Sequence, residues 1–129
     1  MLKETCFSDL KKVHAANPDA IYIIVSRSKP SYAIYNRWYM ALAPSQSLLR
    51  SYKSGLCDEE EYTRRFTEQI SKSKIAQERI QTIRELLKEK KDIYLICWEK
   101  TGFCHRFLLM DMIEGKKKVK QVKQATLGV

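Results

Sequence analysis

The residues with the clearest chemical potential lie together in one stretch, Cys97-Trp98-Glu99-Lys100-Thr101-Gly102-Phe103-Cys104-His105-Arg106. It holds two thiols, a carboxylate, an imidazole and a guanidinium within ten positions. A thiol beside a helix N-terminus becomes a better thiolate, because free backbone N–H groups and the helix dipole favour negative charge there. A histidine moves protons near neutral pH. An arginine binds a phosphate or carboxylate with two parallel hydrogen bonds.

Three chemistries follow. The first is a pocket for a nucleotide-like or phosphorylated ligand, held by the helix N-terminus with Arg27 and Arg106. The second is a nucleophilic or redox site built on Cys104 with His105, with Glu99 as a further titratable group. The third is a metal site of Cys97, Cys104 and His105. Neighbouring residues on a helix point about 100° apart. That spacing counts against a simple Cys104–His105 pair and ranks the metal site last, so the sequence assigns no metal ligand. Against all three stand plainer roles: Cys97 as a small core residue, and Arg106 with Glu99 as an ion pair.

These side chains need elements to carry them. Ile21-Tyr22-Ile23-Ile24-Val25 and Ile93-Tyr94-Leu95-Ile96-Cys97 are consecutive apolar, β-branched-rich runs. Such runs suit strands buried on both faces. A weaker strand is expected over 2–6, then a helix capped by Ser8 and running to Ala16. Ser45 and Asp58 are N-cap signals for two further helices, the second with Glu59, Glu60 and Glu61 in its first turn. A third spans 74–90. The last opens at Cys104 and stops at Gly115. The stretch 26–44 reads as an irregular connection rich in aromatics (Tyr32, Tyr35, Trp38, Tyr39).

Strands separated by helices give βαβ units. The expected fold is a small three-layer α/β sandwich, Rossmann-like, with a mostly parallel sheet. If the two strong strands are parallel, Ser26 and Arg27 share a rim with Cys97, Glu99, Cys104, His105 and Arg106. That rim is where ligands bind in open α/β sheets.

Composition narrows the setting. The chain has 129 residues, 44% hydrophobic and 30% charged, with four cysteines and a net charge of +9. No apolar run approaches the roughly 20 residues of a membrane span. The N-terminal residues lack a signal-peptide pattern, so the expected location is the cytoplasm with no membrane partner. In that reducing setting the cysteines are expected to be free thiols. Five of the 24 basic residues are lysines of 116–129, and the remaining 19 face 15 acidic residues. The expected organisation is one α/β domain over 1–115 and a lysine-rich tail over 116–129, either an edge strand or disordered. Such a tail can bind nucleic acid through phosphates, or serve solubility alone.

The run from Ile96 to Arg106 resembles the family catalogued as domain of unknown function 488, which includes the YeaO-like proteins. That family carries a Cys-x-Glu-Lys loop leading to Cys-His-Arg, matched here by Cys97, Glu99, Lys100, Cys104, His105 and Arg106. Leu42-Ala43-Pro44-Ser45 with Leu49, Tyr62 and Phe66 is similar to its Leu-Ala-Pro-Ser segment and the helix after it. Arg27 with Pro30, and the stretch Thr5–Leu10, are further points of likeness. The resemblance spans residues 2–113, leaving aside Tyr32–Met40 and the tail. It implies a three-layer α/β fold with Arg27, Glu99, Cys104, His105 and Arg106 together, and it implies no particular activity.

Overall fold

The two strongest apolar runs lie side by side in the computed structural model, which describes residues 1–115. β2 (Ile21–Ile24) pairs in parallel with β4 (Ile93–Cys97), Ile21 opposite Ile93 and Ile24 opposite Ile96. β1 (Leu2–Cys6) adds to the other edge of β4, and the two-residue β3 (Arg37–Trp38) to the outer edge of β2. The sheet order is β1-β4-β2-β3, all parallel. The tail 116–129, and the expectations attached to it, lie outside the described residues.

Both faces of the sheet are covered, which is why the central strands are apolar at every position. On one face, Tyr22, Ile24 and Ile96 meet Phe7 and Leu10 of α1 (Phe7–Ala16). On the other, Ile23, Val25, Ile93 and Leu95 meet a larger cluster. Its helices are α2 (Gln46–Lys53), α3 (Glu59–Lys72), α4 (Lys74–Lys88) and α5 (His105–Glu114). The expected three-layer α/β sandwich is therefore the observed fold. No helix among the described residues is long and apolar enough to cross a membrane.

The helix starts follow the capping logic in most places. Ser45 Oγ accepts from the Leu48 N–H, Asp58 from Glu61 and Ser73 from Ala76, at 3.1, 2.8 and 3.1 Å. α1 differs. Its N-cap is Cys6, not Ser8, because β1 stays extended to Cys6 and turns directly into the helix. The Ser8 hydroxyl instead meets Cys6 Sγ at 3.2 Å. Gly115 ends α5 at φ 75°, the left-handed conformation a side chain resists. The stretch 26–44 resolves into β3 and a single 3-10 turn over Met40–Leu42.

One side chain fastens the Ala43-Pro44-Ser45 turn to the helical layer. Gln69, on α3, donates to the Ala43 carbonyl at 2.9 Å and accepts from the Ser45 N–H at 2.8 Å. Gln69→Ala removes both bonds and leaves two part-buried backbone groups unsatisfied. The expected cost is about 2 kcal/mol, read as a lower urea midpoint with an unchanged m-value, together with faster amide exchange at Ser45.

Candidate functional site

Parallel pairing brings the C-terminal ends of β2 and β4 to one rim, and the site is built from the loops that leave them. Ser26, Arg27 and Ser28 follow β2. Trp98, Glu99 and Phe103 follow β4 and lead to α5. They line a cleft of about 600 Å³, whose floor is formed by Cys97, Cys104 and His105. Tyr52 and Lys53 of α2 and Tyr62 of α3 close the far side.

The floor is organised by His105. Its Nε2 lies 2.7 Å from the Val25 carbonyl oxygen. A carbonyl only accepts, so Nε2 carries the proton. In the neutral ring Nδ1 is then a lone pair, and it faces Cys97 Sγ at 3.9 Å and Cys104 Sγ at 3.7 Å. The 100° separation of neighbours holds only inside a helix. Cys104 is the N-cap of α5, extended at φ −152° and ψ 144°. It therefore turns its sulfur back beside the ring of the residue that follows it.

Glu99 completes the cluster. Its Oε1 accepts from the Cys97 thiol at 3.3 Å and from the Cys104 thiol at 3.4 Å. Burial pushes the Glu99 carboxyl upward, but these thiol bonds outweigh it and hold the group below the usual carboxylate range. The two sulfurs titrate as a pair. A hydrogen bond from Cys97 does most to hold Cys104 well below an ordinary thiol, aided by the Arg106 N–H and opposed by burial. Cys97, donating that bond in a buried setting, is pushed up. Of the two, Cys104 is the one that gives up its proton more readily.

Arg106 does not line the cleft. Its side chain is 2% exposed, and its Nε donates to Glu4 Oε1 at 2.8 Å. A second donor, Nη1, reaches Cys104 Sγ at 3.4 Å. The expected direct clamp on a ligand, or a pair with Glu99, is replaced by a charge held beneath the floor. The reason is geometric: α5 packs against β4, whose neighbour is β1, so the residue after His105 meets Glu4 rather than the cleft. Burial alone would lower the Arg106 pKa, but Cys104 and Glu4 together raise it.

The other expected site residues fall as follows. Arg27 is exposed at the mouth of the cleft. Ser26 is buried and its hydroxyl donates to the Ser28 carbonyl at 2.6 Å, so it shapes the loop. Trp98 bridges the two rim loops: its Nε1 donates to Ser28 O at 3.1 Å, and its ring meets Phe7 edge-on at 4.7 Å. Gly102, at φ 84°, lets the loop reverse before Cys104.

Sequence reasoning did not place Tyr52, Phe103 or Lys53 at the site, and took Tyr62 only as part of a core stripe. The rings of Tyr52, Tyr62 and Phe103 contact one another with centroids 5.2–5.6 Å apart. Burial raises the Tyr62 phenol, reinforced by negative charge at Cys104. Phe103 could have been suspected from its place inside the motif loop. Tyr52 and Lys53 carry no local signal, because only the packing of α2 brings them to the rim.

A parallel α/β domain with a cysteine-floored cleft at its C-terminal rim is thus the class that fold and site define. The chain belongs to the DUF488-N3a family, whose model is described as the active DUF488-N3 subclade and matches residues 9–117. It has no match among curated proteins or among solved structures.

Glu4→Gln tests the charge beneath the floor. It leaves the buried Arg106 without a carboxylate, and removing one partner of a buried pair is strongly destabilising. Glu4 is itself 36% exposed, so the expected loss is smaller than for a fully buried pair, about 2 kcal/mol in urea unfolding. Loss within error of zero would show that Arg106 is held by Cys104 and packing alone.

Proposed function

We propose that the cleft binds a small nucleotide-like or phosphorylated molecule and that Cys104, His105 and Glu99 are the groups that act on it. The observation that carries this reading is the make-up of one concavity. Arg27 and Lys53 supply positive charge at its edge, Tyr52, Phe103 and Trp98 supply ring surface, and the reactive cluster lies at its floor. A cleft that is mostly apolar with a few converging polar groups suits a small ligand. Cations at the edge suit phosphate, and aromatic walls suit a planar base.

The roles divide by position. Arg27 and Lys53 bind the anionic end. Tyr52, with Phe103 behind it, packs against the ring. The floor, with Glu99 beside it, meets whatever bond or group the cations and rings present to it. That the matching family model is described as an active subclade favours a reactive floor over a merely structural one.

A thermal-shift screen with nucleoside mono- and diphosphates and sugar phosphates tests the reading, since a ligand that binds the folded state raises its midpoint by mass action. A midpoint rise is expected for at least one phosphorylated compound. Arg27→Ala removes one charge-assisted contact worth about 1.5 kcal/mol, roughly a tenfold weaker Kd. Absence of any phosphate-dependent shift, or an Arg27→Ala protein that binds as well as wild type, would sink the proposal. A shift only with oligonucleotides, equal in both proteins, would move binding to the lysines of 116–129.

A further inference from the structure

Three donor atoms converge on the floor of the cleft. Cys97 Sγ, Cys104 Sγ and His105 Nδ1 all lie within 4.8 Å of one another, and all three residues are buried. We propose that these atoms hold one zinc-class divalent cation, with the fourth coordination position open to the cleft.

The distances fit the metal. Zinc bonds of about 2.3 Å to sulfur and about 2.05 Å to nitrogen, at tetrahedral angles, set sulfur and nitrogen roughly 3.6 Å apart. Nδ1 lies 3.9 Å from one sulfur and 3.7 Å from the other. The nitrogen–sulfur pairs need a contraction of a few tenths of an ångström, and the two sulfurs, within 4.8 Å of each other, close toward the roughly 3.8 Å of a tetrahedral site.

The surroundings fit as well. A ligating histidine usually gives its other N–H to a carbonyl or carboxylate, which fixes the tautomer and raises the basicity of the ligating nitrogen. His105 does so through Nε2 to Val25, and this leaves Nδ1 as the ligating atom. The Arg106 guanidinium, 3.4 Å from Cys104 Sγ, offsets the negative charge that two thiolates bring into a buried place. Two soft sulfurs with one imidazole select zinc over magnesium or calcium, which prefer oxygen.

The donor count points to the kind of site. A structural zinc centre uses four protein ligands, whereas a catalytic one uses three and keeps a position for water or substrate. All three ligands border the cleft. Glu99 lies on the same side. Its thiol donors would be lost when the metal displaces their protons. Its carboxylate then becomes available to accept from a water in the open position. A cation there would polarise a phosphoryl or carbonyl oxygen of a bound molecule. The inference concerns the floor of the proposed cleft and is read with no organic ligand present, so it stands or falls separately from that proposal.

The test is titration of the full chain, purified under reducing conditions and stripped with chelator, with Co²⁺ and then Zn²⁺. One equivalent of Co²⁺ should give a sulfur-to-cobalt charge-transfer band and the intense visible bands of a tetrahedral site, and one equivalent of Zn²⁺ should abolish both. Cys104→Ser and His105→Ala should each weaken binding by about a hundredfold or more, while Cys57→Ser, at a buried thiol that does not line the cleft, should bind like wild type. Folding is followed by circular dichroism. A folded wild-type protein that shows no thiolate–cobalt band overturns the proposal, as does a band that survives intact in Cys104→Ser. Should the variants not fold, the wild-type titration decides alone. A phosphate ligand that binds the metal-free protein leaves the cleft reading in place whichever way the titration falls.

Discussion

The hydrogen bond from His105 Nε2–H to the Val25 carbonyl, at 2.7 Å, sets the geometry of the whole rim. It joins the end of β2 to the start of α5 across elements 80 residues apart in sequence. It also decides which imidazole nitrogen is free. With Nε2 committed as a donor, Nδ1 is left as the acceptor facing two sulfurs. A strand end, a helix start and a tautomer are thus determined by one contact, and the cluster inherits its chemistry from it.

A second constraint works from below. Arg106 is among the largest fully buried side chains of the protein. A buried guanidinium is tolerable only when its donors are used, and here Glu4 and Cys104 use them. Positive charge is thereby stored directly under the sulfurs, where it favours an anionic cluster without occupying the cleft. His105 and Arg106 are neighbours in sequence with opposite assignments. His105 faces the cavity and Arg106 faces β1, as consecutive positions in the first turn of a helix must diverge.

The cleft walls come from elements with no sequence relation to the motif. Gln69 holds the Pro44 turn in place from α3, and α2 starts from the Ser45 cap one residue later. Tyr52 and Lys53 reach the rim because that start is fixed. Trp98 closes the opposite side by tying the β4 loop to Ser28 and to Phe7. The reactive floor is therefore local to one motif, while the shape above it is a product of packing.

The strands β1, β2 and β4, the helix caps at Ser45 and Asp58, the stop at Gly115 and the parallel sheet were legible in the chain, because consecutive β-branched runs and capping residues act over a few positions, whereas the two-residue β3 was hidden in a stretch that reads as irregular. The motif Cys97–Arg106 was legible too, since its residue types carry chemistry wherever they lie. What local pattern could not reach was orientation. That Cys104 caps the helix rather than entering it depends on its extended backbone. That Arg106 turns to Glu4 depends on β1 lying beside β4, and that Tyr52, Lys53 and Phe103 wall the cleft depends on how α2 and α3 pack. Sequence by itself determined which groups are present and which segments carry them. Only the tertiary structure decided which atoms face one another, because that is set by contacts between residues far apart in the chain, whose strength depends on burial and distance rather than on spacing.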